Sequence, residues 1–212
     1  MPGPSTPITP TIVSDWIYLA SQSPRRSQLL NQLGIRHELL LPAQDEDAES
    51  LEAALPHETP IAYVKRVTQL KLEAALKRLE QRRLPVAPIL CSDTTVAYGR
   101  HIYGKPTDAM DAERMLSELA GKTHRVLTAI AIGNGLRREQ TLCCSQVKFS
   151  ELSATQIKNY VASGEPLGKA GSYAVQGRAA TFIERISGSY SGIMGLPLFE
   201  TAQLLRSFGF MV

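Results

Sequence analysis

Three cysteines in 212 residues are too few for a disulfide framework, and two of them, Cys143 and Cys144, are adjacent. That usage suits a reducing cytoplasm. No stretch approaches the ~18 consecutive apolar residues that a membrane span requires. Basic residues are not massed either: the 23 Lys and Arg form no block of five, and the net charge is only +3. Nucleic acid is therefore not expected as the main partner, and a local basic pocket is expected instead of a basic face. The chain has no HExxH, no CxxC, no GxSxG elbow, no clear GxGxxG and no internal repeat of 20–50 residues, so the readings those patterns carry fall away.

What is present is an ordinary globular composition, with 43% hydrophobic and 20% charged residues over a length that fits one domain with room for two lobes. Residues 1–12 carry Pro2, Pro4, Pro7 and Pro10 among small polar neighbours, without the basic start and apolar core of a signal peptide. Residues 1–13 are expected to be a disordered extension and 14–212 a single domain.

The chain is organised around Ile89-Leu90-Cys91-Ser92-Asp93-Thr94-Thr95-Val96 and its tail, Gly104-Lys105-Pro106-Thr107-Asp108. An apolar β-type run sets a lone carboxylate, Asp93, beside two hydroxyls, although Asp is depleted in strands. A glycine-punctuated turn then returns Lys105. Either this is a surface strand with its polar residues outward, or a carboxylate and a cation converge on a phosphate or metal. Gly99 to Lys105 has P-loop spacing, but Pro106 stands where Ser or Thr must hold Mg²⁺ and lacks a backbone donor. It is not a P-loop.

A second candidate site precedes it. Trp16-Ile17-Tyr18-Leu19-Ala20 reads as a strand and Ser23-Pro24 as a helix start, with Leu29, Leu30 and Leu33 at helical spacing up to Gly34. A helix N-terminus with Ser21 and Ser23 favours an anion. Arg25 and Arg26 are unfavourable there unless an anion binds. Downstream, Asp45, Glu46, Asp47, Glu49 and Glu52 form an acidic run, either a solvated loop or the source of metal-ligating carboxylates.

Thr59-Pro60 opens the longest helix, predicted to reach about Arg83 with Ile61, Val64, Leu72, Ala75, Leu76 and Leu79 as its apolar stripe. Lys71 and Arg66 are offset by well over ~100° around it and do not serve one small ligand face. A helix capped by Thr107 or Asp108 ends at Gly121. A strand over 123–132 turns at Asn134-Gly135 into a return strand over 142–149. Ser153-Ala-Thr-Gln156 is a capping box. A glycine-rich last third holds Lys169, Gln176 and Ser189, and a terminal helix over about 197–207 is expected to dock through Phe199, Ala202 and Leu205.

Several of these segments together resemble the Maf family of nucleotide pyrophosphatases. They are Leu19-Ala20-Ser21-Gln22-Ser23-Pro24-Arg25-Arg26, Ser92-Asp93-Thr94-Thr95-Val96, Gly104-Lys105-Pro106-Thr107-Asp108, Gly121-Lys122-Thr123-His124 and Gly164-Glu165-Pro166-Leu167-Gly168-Lys169-Ala170-Gly171. Tyr173-Ala174-Val175-Gln176-Gly177, Gly188-Ser189-Tyr190 and Gly195-Leu196-Pro197-Leu198-Phe199-Glu200-Thr201 continue the series, which runs from about residue 17 to 206.

The resemblance implies an α/β fold, with a mixed central sheet flanked by helices and two lobes around a cleft, similar to the inosine triphosphate pyrophosphatase fold. It implies cleavage of a nucleoside triphosphate between the α and β phosphates, a divalent cation (Mg or Mn) and a cytoplasmic homodimer. Arg25, Thr94 and Gln176 match the branch acting on dTTP and UTP, and they are assigned to base selection. Asp93 is assigned as general base, metal ligand or both, with Glu46 as second metal ligand. Ser21, Ser23, Arg26, Lys71 and Lys105 are assigned to the phosphates. Tyr173-Ala174 replaces the family's Tyr-Gly beside the base-reading segment. The alternatives are a nucleotide-binding regulator of cell division of the septum-inhibitor type that does not cleave, a Maf-like enzyme for another or modified base, and a nucleic-acid-binding protein. A carboxylate facing phosphates gives a pure binder nothing, which favours the enzyme.

Overall fold

The computed structural model describes residues 14–44, 46–47 and 50–212. The expected extension over 1–13, and Asp45 and Glu49 of the acidic run, lie outside the described residues. Among the described residues seven strands form one mixed sheet: β1 (Trp16–Leu19), β2 (Arg36–Leu39), β3 (Ile89–Tyr98), β4 (His101–Tyr103), β5 (Thr123–Gly133), β6 (Arg138–Phe149) and β7 (Ile183–Ser187). The order is β2-β1-β3-β5-β6-β7, with β4 also paired to β3. The β2–β1 and β1–β3 pairs are parallel, and the others antiparallel.

Helix α2 (Pro60–Gln81) covers one face, with Leu72, Ala75 and Leu79 against Ile89, Cys91 and Ala131, and Val64 and Val67 against Ala97, Leu127 and Ala129. The other face carries α1 (Pro24–Gln32), α3 (Ala109–Leu119), α4 (Ala154–Val161), α5 (Tyr190–Met194) and α6 (Leu198–Ser207). There Leu29, Leu30, Leu204 and Leu205 meet Leu90 and Ile130, and Met115, Leu116 and Ile157 meet Val96 and Val126. Because β3 and β5 are covered on both faces, they read as near-continuous apolar runs. Strand β5 is accordingly buried on both sides.

Capping follows the expected chemistry. Thr59, Asp108 and Ser153 each accept a backbone N–H of the first turn, and Ser153 and Gln156 complete a capping box. Gly99 (φ +59°) turns β3 into β4, so the P-loop-like spacing belongs to a hairpin.

Three expectations shift and one strand is unannounced. Ile61 and Phe199 are 40% and 68% exposed, outside the apolar contacts assigned to them. Helix α6 docks through Thr201, Ala202, Leu204 and Leu205 instead. Strand β6 begins at Arg138, since Gly133 pairs directly with Arg138 across the turn. Strand β7 has no sequence signal, because Ile183–Ser187 is a largely exposed edge strand without an apolar run.

One consequence of the sheet order positions the site. Strand β3 pairs with β1 only at Ile89 and Leu90, and with β4 only from Val96 to Tyr98, on the edge opposite β5. Among the described residues no strand covers that edge over residues 91–95. Side chains alternate along a strand, so Asp93 points toward α2 while Ser92 and Thr94 point toward α1 and α5. The uncovered edge lets both sets open onto the same space.

Candidate active site

That space is a cleft of ≈ 940 Å³, and every site residue named from the sequence lines it. On the α2 side, Lys71 Nζ donates to Asp93 Oδ1 at 2.6 Å and to Glu52 Oε1 at 2.8 Å. Lys105 Nζ reaches Glu52 Oε2 at 3.1 Å. Glu52 is fixed in turn by its carbonyl, which accepts from Tyr63 Oη at 2.9 Å. Burial disfavours the Lys71 ammonium, but Asp93 and Glu52 outweigh it and hold the pKa above the usual lysine value. Burial likewise acts against the Glu52 carboxylate, and Lys71 and Lys105 more than reverse it, holding its pKa low. Burial, with Asp93 and Glu52, pushes Tyr63 up to about 12.

Arg66 points elsewhere, to Glu58 at 2.7 Å, as its angle from Lys71 requires. Glu46 lines the cleft, but its carboxylate is engaged by Arg78, which also donates to Leu40 O at 2.9 Å. The carboxylate that shares a lysine with Asp93 is Glu52. Within the acidic run, nothing in the sequence distinguishes it from its solvated neighbours.

On the α1 side, Ser23 takes the N-cap position without capping, and its own N–H donates to Ser21 Oγ at 3.2 Å. The Ser23 hydroxyl therefore stays available to a ligand at the helix start. Arg26 donates to Gly195 O at 2.8 Å and to Ser21 Oγ at 3.0 Å, and Ser92 Oγ donates to the same Gly195 carbonyl at 2.8 Å. Burial lowers the Arg26 pKa from the usual arginine value, and Asp93 opposes that shift.

The third group also lines the cleft. Thr128 Oγ1 donates its single proton to Gly192 O at 2.7 Å. The 3.0 Å contact between Thr94 and Thr128 hydroxyls must then be donated by Thr94, which leaves Thr94 Oγ1 with only lone pairs to offer a ligand. Arg25 Nε is buried with no hydrogen-bond partner among the described residues. The Gln176 amide lines the cleft, is exposed, and makes no hydrogen bond among the described residues. Lys169, noted in the glycine-rich third but given no role, joins Arg25 on this wall; burial and Arg25 lower its pKa. An acceptor, two cations and a free amide thus stand on one side, and a lysine–carboxylate cluster on the other.

The chain as a whole is similar to known proteins. The model of the Maf-like protein family matches residues 16–208. A dTTP/UTP pyrophosphatase of Albidiferax ferrireducens is 73% identical over 200 residues, spanning 94% of this chain and all of that one. Proteins of the same name from Polaromonas sp. and Cupriavidus pinatubonensis are 63% and 62% identical, over 94% and 91% of this chain and 98% and 96% of theirs. The structure of the Staphylococcus aureus Ham1 protein aligns over 91% of this chain and 96% of its own, with a TM-score of 0.45 and 12% identity. At that level it adds nothing to the fold already described by its strand order. With a family match over nearly all of the described residues and relatives matched almost end to end at such identity, the chain belongs to the Maf family.

Proposed function

We propose that this protein is a nucleoside triphosphate pyrophosphatase that hydrolyses dTTP and UTP to the nucleoside monophosphate and pyrophosphate. The observation that carries the reading is the cluster at the uncovered edge of β3, where Asp93 meets Lys71 at 2.6 Å inside a cleft that also holds the free donors and acceptors of the opposite wall. The names of the relatives support the substrate pair.

In this reading the oxygen of water attacks the α-phosphorus, its proton passes to Asp93, and the bridging bond to the β-phosphate breaks as pyrophosphate leaves. Lys71 and Lys105, both held by Glu52, turn to the phosphate oxygens when a triphosphate enters. There, with Arg26, they oppose the charge that develops on the leaving group. Ser21 and Ser23 complete the phosphate end. At the base end, a 2,4-dioxo pyrimidine has two carbonyl acceptors and one N3–H. Arg25 and the Gln176 amide NH₂ supply donors, and the lone pairs of Thr94 or the Gln176 carbonyl accept N3–H. Cytosine sets an amino group before a donor.

The donor set fits a hard divalent cation such as Mg²⁺ or Mn²⁺: Asp93 and Glu52 are two carboxylates already spanned by one cation, the Lys71 ammonium. Glu46 also lines the cleft and is a further candidate once released by Arg78. Among the described residues no group of three or more His, Cys, Asp or Glu stands together, so substrate oxygens and water would complete the shell. When bound, the cation supplies phosphate neutralisation and a more acidic water.

Residues 14–212 are taken as one catalytic domain. Three free cysteines support a cytoplasmic setting, and among the described residues no helix is long and apolar enough to cross a membrane. The homodimer implied by the family resemblance is checked by light scattering. The decisive assay is pyrophosphate release from dTTP, UTP, CTP and purine triphosphates with Mg²⁺ or Mn²⁺. The reading requires dTTP and UTP to lead, and equal rates across all bases or no release from any would reject it.

A further inference from the structure

The Gln176 side chain has no protein partner among the described residues, so its place in the cleft is set by the backbone on either side. Both sides are tied to one pair of side chains. Glu165, just after Gly164 (φ +74°) at the end of α4, accepts from the backbone N–H of Arg178 at 2.9 Å and of Ala179 at 3.4 Å. It also accepts from Tyr160 Oη at 2.8 Å. Tyr160, 6% exposed on α4, accepts in turn from the backbone N–H of Ala174 at 3.3 Å. Ala174 and Arg178 each lie two residues from Gln176, one before it and one after.

The intervening Gly177 shows how closely the carboxylate is seated. A Cβ there would lie 2.3 Å from Glu165 Oε1, so the space a side chain needs is filled by the carboxylate. The tie is also chemically sturdy. Burial works against the Glu165 carboxylate, yet the N–H and O–H donors outweigh it and hold its pKa low, so it stays an acceptor to all of them at neutral pH. A hydrogen bond to a charged acceptor is about twice as strong as a neutral one.

We propose that Glu165 and Tyr160 form a staple that holds the segment over 174–178 in register with the cleft, making them positioning residues for base selection by Gln176. The inference rests on the proposed reading of Gln176 as a base-selecting residue, and neither stapling residue touches the reacting phosphates.

The test uses the full-length protein and compares kcat and KM for UTP and CTP in the wild type, Glu165→Gln, Tyr160→Phe and the double variant, with thermal unfolding alongside. Glu165→Gln keeps the shape but turns one acceptor into a donor facing N–H groups. Tyr160→Phe removes only the hydroxyl and is the milder change if the first folds poorly. Each is expected to lower the UTP-over-CTP preference by roughly five- to tenfold, the order of one ordinary net hydrogen bond lost from the positioning of Gln176. The loss should appear mainly in KM for UTP, with kcat within about twofold. Because both act through one device, the double variant should be no worse than the worse single one. Additive losses would overturn the staple, as would an unchanged preference accompanied only by a lower melting temperature. If the wild type itself shows no preference, the base-reading role of Gln176 fails and takes this inference with it. If the wild type discriminates and the variants do too, the inference alone fails.

Discussion

At the scale of single residues, the cleft pairs groups whose roles separate by what each can still offer a ligand. Asp93 is 7% exposed and accepts from Lys71, which Glu52 shares. Asp93→Asn preserves an acceptor for Lys71 and the shape of the strand, but it removes the base. Turnover of UTP is expected to drop by ~10²–10⁴-fold while urea unfolding stays cooperative. Near-normal turnover would remove Asp93 from the chemistry. Gln176 makes the complementary case. Its amide is unpaired among the described residues, so Gln176→Glu disturbs no internal bond and acts on the ligand alone. It deletes the donor and sets a charge against base carbonyls, at a cost of about 1–3 kcal/mol in kcat/KM for UTP. Inorganic tripolyphosphate, used as a competitive inhibitor, should bind as before. Equal losses with UTP, CTP and GTP would show that Gln176 does not read the base.

At the scale of elements, much of the site is legible because its parts carry strong local signals. Ser23-Pro24 before a leucine-periodic helix, and Asp93 inside an apolar run, look the same in sequence and in structure. What the sequence hides has no such signal. Glu52 owes its place to a three-residue helical turn and to Tyr63 Oη on α2, contacts that an acidic run does not announce. The start of β6 is hidden because Arg138, Glu139 and Gln140 pair through backbone with the end of β5 and leave no apolar pattern. Uncovering β3 over residues 91–95 depends on where two other strands stop, a property of none of the three alone.

Glycines show the same division. A Cβ added at Gly168 (φ +70°) would have nothing within 4 Å, whereas at Gly171 (φ +69°) that atom would fall 2.8–2.9 Å from the side chain of Val96 on β3. Val96 is β-branched and buried, so it has little freedom to give way. Gly168→Ala should cost about 1 kcal/mol for the left-handed backbone. Gly171→Ala adds an overpacking cost of about 1–3 kcal/mol, and it also strains the bond from Gly171 N–H to Gly104 O at 3.0 Å. Urea midpoints should fall in that order at constant m. If the two variants unfold together, the loop is not seated on β3 as described.

For the whole molecule, stability against acid is expected to depend on a group that does not itself line the cleft. His124 on β5 is 1% exposed, with Nε2 at 2.9 Å from Tyr173 Oη and no partner for Nδ1 among the described residues. Its ring meets the edges or faces of Phe149 and Tyr173, at centroid distances of 4.7 and 5.4 Å. Burial among them lowers its pKa from 6.5 to about 4. The folded protein therefore binds fewer protons than the unfolded chain between those values, and stability falls as the pH drops from about 6.5 through about 4. The carboxylates held low by their partners, Glu46, Glu52 and Glu165 among them, have the same sign. Their stabilisation is lost only below the ordinary carboxylate value of 4.5. Between pH 7 and 5 the histidine is thus separable from the acids, and the shift corresponds to about 2 kcal/mol lost over that interval. His124→Gln retains a hydrogen-bonding group for Tyr173 without a titrating one. Its unfolding free energy, measured in urea, should be nearly flat from pH 7 to 5 while the wild type declines. Parallel curves for the two proteins would mean that the acid sensitivity arises elsewhere.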